Sequence, residues 1–304
     1  QLGHAYYFTD LLFILLLSSF FLLVQRKNLT HPLSLALLLI LFLTRESTIL
    51  LSLTCIGISL YKRAWKDALL VGVVSVIGWK LSGIIGAMGA PNVHGIESLI
   101  YLAGKFVFNG LRNILGIPLL PNTLIPDTGA PCEIVHTYSL PASFVRGSIR
   151  SLSLCTFDGY LPVTTFIHAA TLFGIGPVCV LWMIKKYRAL HARVSPMLQI
   201  TFWYGILSFV CAPLFGSSTD RLLAMGWPLF LVTIPSALFP YLPEKAQRHL
   251  MWAWLVVTWM GWLSSYLPST FLMRSLLVLF TTVIAYSVSY FQLKHALTQP
   301  TEAT

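Results

Sequence analysis

Apolar residues run along this chain in long blocks with short polar punctuation between them. The blocks cover residues 9–24, 31–61, 67–85, 161–184, 198–215, 222–242, 251–267 and 271–291. Such runs are too long for barrel strands, and about 20 apolar residues make a helix that crosses a hydrocarbon core of ~30 Å. One block departs from that size and carries Leu43-Thr44-Arg45-Glu46-Ser47 in its middle. A charge at the centre of a bilayer costs about 2.5–3.5 kcal/mol, so it is kept only with a partner or a task. Splitting the block into helices over 32–44 and 47–61 takes Arg45 and Glu46 out of mid-membrane, although each piece is then only about 20 Å long. The pattern therefore predicts an all-α, polytopic transmembrane bundle of about nine crossings.

The stretch 86–160 reads differently. Segments 96–108 and 140–154 mix apolar with basic positions, with Lys105, Arg112, Arg146 and Arg150 in or just beyond them. Such segments suit helices lying in the interface plane. Pro118-Leu-Leu-Pro-Asn, Pro126-Asp-Thr-Gly and Pro131-Cys between them are turn chemistry. The expected organisation is one transmembrane domain over 1–304: helices one to four in 1–85, an outer interfacial segment in 86–160, helices five to nine in 161–294, and a polar tail in 295–304. Pro228, Pro235 and Pro240 predict kinks in the seventh helix.

Orientation follows from the basic residues. Arg26-Lys27, Lys62-Arg63 with Lys66, Lys185-Lys186 with Arg188 and Arg193, Lys245 with Arg248, and Lys294 all fall in connections on one side of this arrangement. Short cytoplasmic loops carry such an excess, which places the N-terminus outside and the C-terminus inside. The same loops account for most of the net charge of +10. No nucleic-acid motif accompanies it, so the expected partners are membrane lipids and other membrane subunits. Composition agrees, with 56% hydrophobic and 10% charged residues and a mean hydropathy of +0.77, against about 25% charged in soluble domains. The chain opens on Gln1-Leu2-Gly3 without a signal pattern, and a missing front is the expectation.

Of the five cysteines, Cys55, Cys179 and Cys211 lie in apolar runs and read as small core residues. Cys132 and Cys155 share the outer segment, where an oxidising compartment would allow a disulfide or leave two thiols. His4, His94, His136 and His168 show no metal-ligand spacing, and no metal is expected.

In this topology Asp10, Arg45, Glu46, Asp220, Arg221 and Arg274 all stand at outer helix ends, with Lys80 about two turns below. Neighbours in sequence do not face each other on a helix, so Arg45 needs a partner other than Glu46. Pairs of Arg45 with Asp10 or Asp220, and of Glu46 with Arg221, would supply one. Two uses of such a cluster stay open. It can hold short helices together, with Asp10 and Asp220 as N-caps, Arg274 as a head-group anchor and Lys80 snorkelling to the interface. Alternatively it is a lipid-phosphate site, with Arg45, Arg221, Lys80 and Arg274 gripping phosphate and Glu46, Asp10 or Asp220 acting as catalytic carboxylate.

The motifs Tyr7-Phe-Thr-Asp10, Gln25-Arg-Lys, Leu43-Thr-Arg-Glu-Ser-Thr and Tyr61-Lys-Arg-Ala-Trp-Lys, in that order, resemble the middle helices of polytopic GT-C glycosyltransferases. Thr219-Asp-Arg-Leu-Leu-Ala-Met-Gly-Trp-Pro228 resembles their downstream arginine before a proline-containing helix. The resemblance covers about residues 6–66 and 216–240. It implies transfer of a sugar from a polyprenyl-phosphate carrier on the non-cytoplasmic face, with inversion. That family usually holds its catalytic acid in a first outer loop, after a helix that would precede Gln1, and its active members are longer. The resemblance thus implies a piece of such an enzyme or a non-catalytic relative. A non-enzymatic subunit of a larger membrane complex is the principal alternative, and a transporter of an amphipathic substrate the third; the absence of an internal repeat in the sequence weighs against the last.

Overall fold

A computed structural model describes residues 3–45, 47–89, 106–107, 110–111, 119–121, 133–139, 151–156, 164–185, 195–215, 223–264 and 271–298. The long apolar blocks are helices: α1 (Gly3–Arg26), α2 (Pro32–Thr44), α3 (Thr48–Tyr61), α4 (Trp65–Gly89), α5 (Thr164–Phe173), α6 (Gly176–Lys185) and α7 (Pro196–Phe215). A π-helical turn (Pro228–Thr233), the short α8 (Ile234–Ala237) and a 3₁₀ turn (Phe239–Tyr241) follow, then α9 (Glu244–Ser264) and α10 (Phe271–Thr298). Among the described residues, two helical stretches, Trp65–Ile84 and Leu276–His295, are long and apolar enough to cross a membrane; other apolar helices, among them Pro32–Thr44 and Thr48–Tyr61, are shorter.

The block 31–61 is two helices with the break at Arg45. Pro32 opens α2 at a position where its missing N–H is harmless, and His31 Nδ1 accepts from the Leu33 N–H at 3.3 Å. At the far end Arg45 turns to extended backbone, with φ −159° and ψ 131°. The proline-rich seventh expected helix is irregular, passing from π to α to 3₁₀ geometry, because each proline withdraws one N–H from the helical ladder. The fifth expected helix is also interrupted. Gly174 takes φ +52° between α5 and α6, and the Tyr286 hydroxyl donates to its carbonyl oxygen at 2.9 Å. The last helix runs to Thr298, into the stretch expected to be a tail.

The segment 86–160 contains a three-stranded antiparallel sheet in the order β1-β3-β2, made of Leu119–Pro121, Glu133–Ser139 and Ser151–Thr156. Ser153 pairs with Leu120 on one side and Thr137 on the other. Here the expectation of an interfacial helix over 140–154 is corrected, since residues 151–154 are strand. The reason is visible in Ser-Leu-Ser-Leu-Cys-Thr, whose alternation has the period of a strand. Of the segment 96–108, Phe106 and Val107 are helical and the remainder lies outside the described residues.

Two apolar cores organise the helices. Phe13, Leu17, Phe20, Leu38, Leu41, Phe42, Leu51, Cys55 and Val71 form one with Ile200, Tyr204 and Met225. The other gathers Phe173, Ile175, Cys179, Trp182, Phe202, Leu229, Phe230, Ile234, Val257 and Leu293. Helix α7 belongs to both. Ile200 and Tyr204, four residues apart, share the face toward α1 and α3, whereas Phe202 turns toward the second core. Cys55 and Cys179 are buried free thiols and Cys211 is a half-buried one.

Candidate functional site

The α2–α3 break is held mainly by one carbonyl. Leu41 O accepts from the Arg45 N–H at 3.0 Å, from Thr44 Oγ1 at 2.8 Å and from Thr48 Oγ1 at 2.9 Å. That carbonyl already has its backbone donor, so the threonine hydroxyls on either side of the break add two further bonds to the same oxygen. Thr48 is fully buried, and its N–H reaches back to the Arg45 carbonyl at 3.2 Å. Ser47 opens α3 without a side-chain cap bond, its hydroxyl oxygen buried and without a hydrogen-bond partner among the described residues.

Arg45 is half-buried at this corner. Its Nη1 lies 3.4 Å from Met225 Sδ, and its guanidinium carbon stands 5.8 Å from the centre of the Phe13 ring, within cation–π range. One side chain thus ties three places together: the α2–α3 break, helix α1, and the turn that leads into the π-helix. Tyr204, wholly buried on α7, lies within electrostatic reach of the same guanidinium and stacks obliquely on Phe21 at 6.2 Å. Trp227, two residues beyond Met225, has a buried indole N–H without a hydrogen-bond partner among the described residues. Helix α7 packs against both α1 and α3.

The sequence had named helices one and seven as the sources of Arg45's counterparts, through Asp10 and Asp220. Phe13 is one helical turn from Asp10, and Met225 follows Asp220 by five residues. The side chains of Asp10, Glu46, Asp220, Arg221 and Arg274 lie outside the described residues, as does Cys132 of the expected disulfide. Lys80 is not brought to Arg45. On α4, Gly78 packs against the Phe42 side chain, where an added Cβ would sit 2.8 Å from its ring. Lys80, two residues on, points roughly 200° away and is exposed among exposed apolar residues.

Tyr204, Met225, Phe13 and Trp227 were not singled out from the sequence. Each sits in an apolar or aromatic run where nothing in the pattern separates it from ordinary core. Comparison with known proteins adds no assignment: no family model, no curated protein and no solved structure matches the chain.

Proposed function

We propose that the chain is a membrane glycosyltransferase-like protein, or a piece or non-catalytic relative of one, that engages a polyprenyl-phosphate-linked sugar on the non-cytoplasmic face. The observation that supports this reading is the convergence of α1, the α2–α3 break and the turn at Met225 on Arg45. A guanidinium at such a convergence matches two phosphate oxygens at once. Glu46, next in sequence, and Asp10 and Asp220, near the two contacts, are the carboxylates assigned to orienting or deprotonating an acceptor. Nine crossings, with the N-terminus outside and the C-terminus inside, complete the reading, its support being the basic connections.

The experiment is binding and transfer with a radiolabelled polyprenyl-phosphate sugar in reconstituted membranes. Arg45→Ala is expected to lower binding at least tenfold while the protein accumulates and keeps its helix content; Arg45→Lys keeps the charge and should recover part of it. Equal binding by all three proteins sinks the proposal. Loss of accumulation in both variants favours the purely structural role of Arg45.

One observation favours the alternative of a subunit in a larger membrane complex. Trp252, Trp259 and Trp262 are more than half exposed along α9, whereas tryptophan at lipid-facing positions gathers near the two interfaces. Extraction in mild detergent followed by mass determination distinguishes a complex from a lone chain.

A further inference from the structure

Helices α3 and α4 are joined by a tight basic turn. Lys62 caps α3, Arg63 takes the left-handed conformation with φ 58°, and Ala64 N–H returns to the Ser59 carbonyl at 2.9 Å while Arg63 N–H reaches that of Leu60 at 2.9 Å. This is the six-to-one and five-to-two pattern that ends many helices, and glycine is the residue usually found where Arg63 stands. Lys66 follows in the first turn of α4. All three cations are exposed, and none makes an ion pair among the described residues. Partial burial draws the Lys62 ammonium below its ordinary value, which a neighbouring anion would reverse. Tyr61 and Trp65, 74% and 67% exposed, flank the turn as aromatic residues do at a membrane surface.

Near this turn an open apolar groove lies along α4, lined by its Ala68, Leu69, Gly72, Val73, Val76 and Ile77 and bordered on the α3 side by Ile56. Ala68 and Ile77 mark its ends along α4, about 14 Å apart at 1.5 Å per residue. One leaflet of hydrocarbon, half of a ~30 Å core, is about 15 Å deep. Lys66 lies on the same stripe of α4 as Leu69, Val73 and Val76, and Asp67, the one acidic residue of this turn, lies roughly on the opposite side. Gly72 meets no described residue within 4 Å of where its Cβ would be.

We propose that this groove holds one phospholipid with an anionic head group, its acyl chain lying between α3 and α4 and its phosphate on Lys62, Arg63 and Lys66. The match is one of charge at the turn and of length along the groove: a chain one leaflet long fits below a cluster of three cations. It explains why an arginine occupies a backbone position that suits glycine. The inference rests on α4 crossing the bilayer and is independent of the transferase reading, which concerns Arg45 at the α2–α3 break.

The test is native mass spectrometry of the full chain in mild detergent, titrated with phosphatidylglycerol or with phosphatidylcholine of identical acyl chains. The unsubstituted protein should retain one phosphatidylglycerol in preference to phosphatidylcholine. Removing the charges with Lys62→Gln, Arg63→Gln and Lys66→Gln should erode that preference by about fivefold per cation. Gly72→Leu, which fills the open groove, should weaken retention of both lipids. Lys66→Arg should behave as the parent does, and Lys66→Gln alone serves as the readout if the triple variant fails to fold. An unchanged preference without the charges, or undiminished retention in Gly72→Leu, overturns the proposal. A negative result with Arg45 variants leaves it untouched.

Discussion

Thr48 shows how much of the bend depends on single hydroxyls. Its Oγ1 bridges back across the break to the Leu41 carbonyl at 2.9 Å from a fully buried position. Thr48→Val keeps the shape and deletes the donor, while Arg45 N–H and Thr44 Oγ1 remain on the same oxygen. The expected cost is therefore that of one ordinary hydrogen bond, about 1 kcal/mol, read as a lowered unfolding midpoint in a denaturing-detergent titration. A drop several times larger would mean that the bend itself is lost. Arg63 presents the converse case. A left-handed backbone costs a non-glycine residue roughly 1–2 kcal/mol, and glycine recovers most of that while adding freedom to the unfolded chain. Arg63→Gly is expected to stabilise the protein by up to about 1 kcal/mol in the same titration while weakening retention of anionic lipid. Opposite signs in the two measurements would separate the conformational role of this position from its charge.

At the scale of elements, the close crossing of α7 over the π-helical turn depends on the missing side chain of Gly205. A Cβ there would fall on that of Leu229 and 3.0 Å from its backbone nitrogen. Backbone on one side of the clash cannot move aside as a flexible chain end can, so Gly205→Ala is expected to destabilise by about 1–3 kcal/mol. Gly57 on α3 has nothing within 4 Å of its Cβ position, and Gly57→Ala should be neutral or stabilising by up to about 1 kcal/mol. Equal behaviour of the two variants in the midpoint assay would contradict the packing described. Both glycines look alike in the sequence, which is why this contact was not legible there. The break at Arg45 was legible, because a charge pair inside an apolar run has few physical explanations. The break at Gly174 was not, since glycine is common within membrane helices and its carbonyl partner Tyr286 comes from a helix more than a hundred residues later. The small sheet was missed for another reason: a window wide enough to judge a helix face averages over the six-residue alternation of Ser151–Thr156. At the site, Arg45 could be found from its charge, whereas Tyr204 and Met225 became visible only when folding brought their runs beside it.

For the whole molecule, the two cores meet along α7, and this arrangement makes a claim about how stability is shared. Leu51 is fully buried in the first core, and Phe230, 1% exposed, stacks on Phe173 at 4.0 Å in the second. Leu51→Ala should cost about 2–5 kcal/mol and Phe230→Ala about 3–5 kcal/mol. If the cores are separate bodies of contact, the double variant should lose the sum of the two to within about 0.5 kcal/mol, as distant sites do. Helix α7 predicts the exception. Ile200 faces the first core and Phe202 the second from neighbouring positions on one helix, so a shift of α7 that relaxes one cavity loads the other. Ile200→Ala combined with Phe202→Ala should therefore depart from additivity by more than that margin, with the sign telling whether α7 moves toward the first core or away from it. Strict additivity in this second pair would mean that α7 is a rigid wall. In that case a change at Phe230 would not reach Arg45 through α7, and the turn at Met225 would be the route left to test for coupling the second core to the α2–α3 corner.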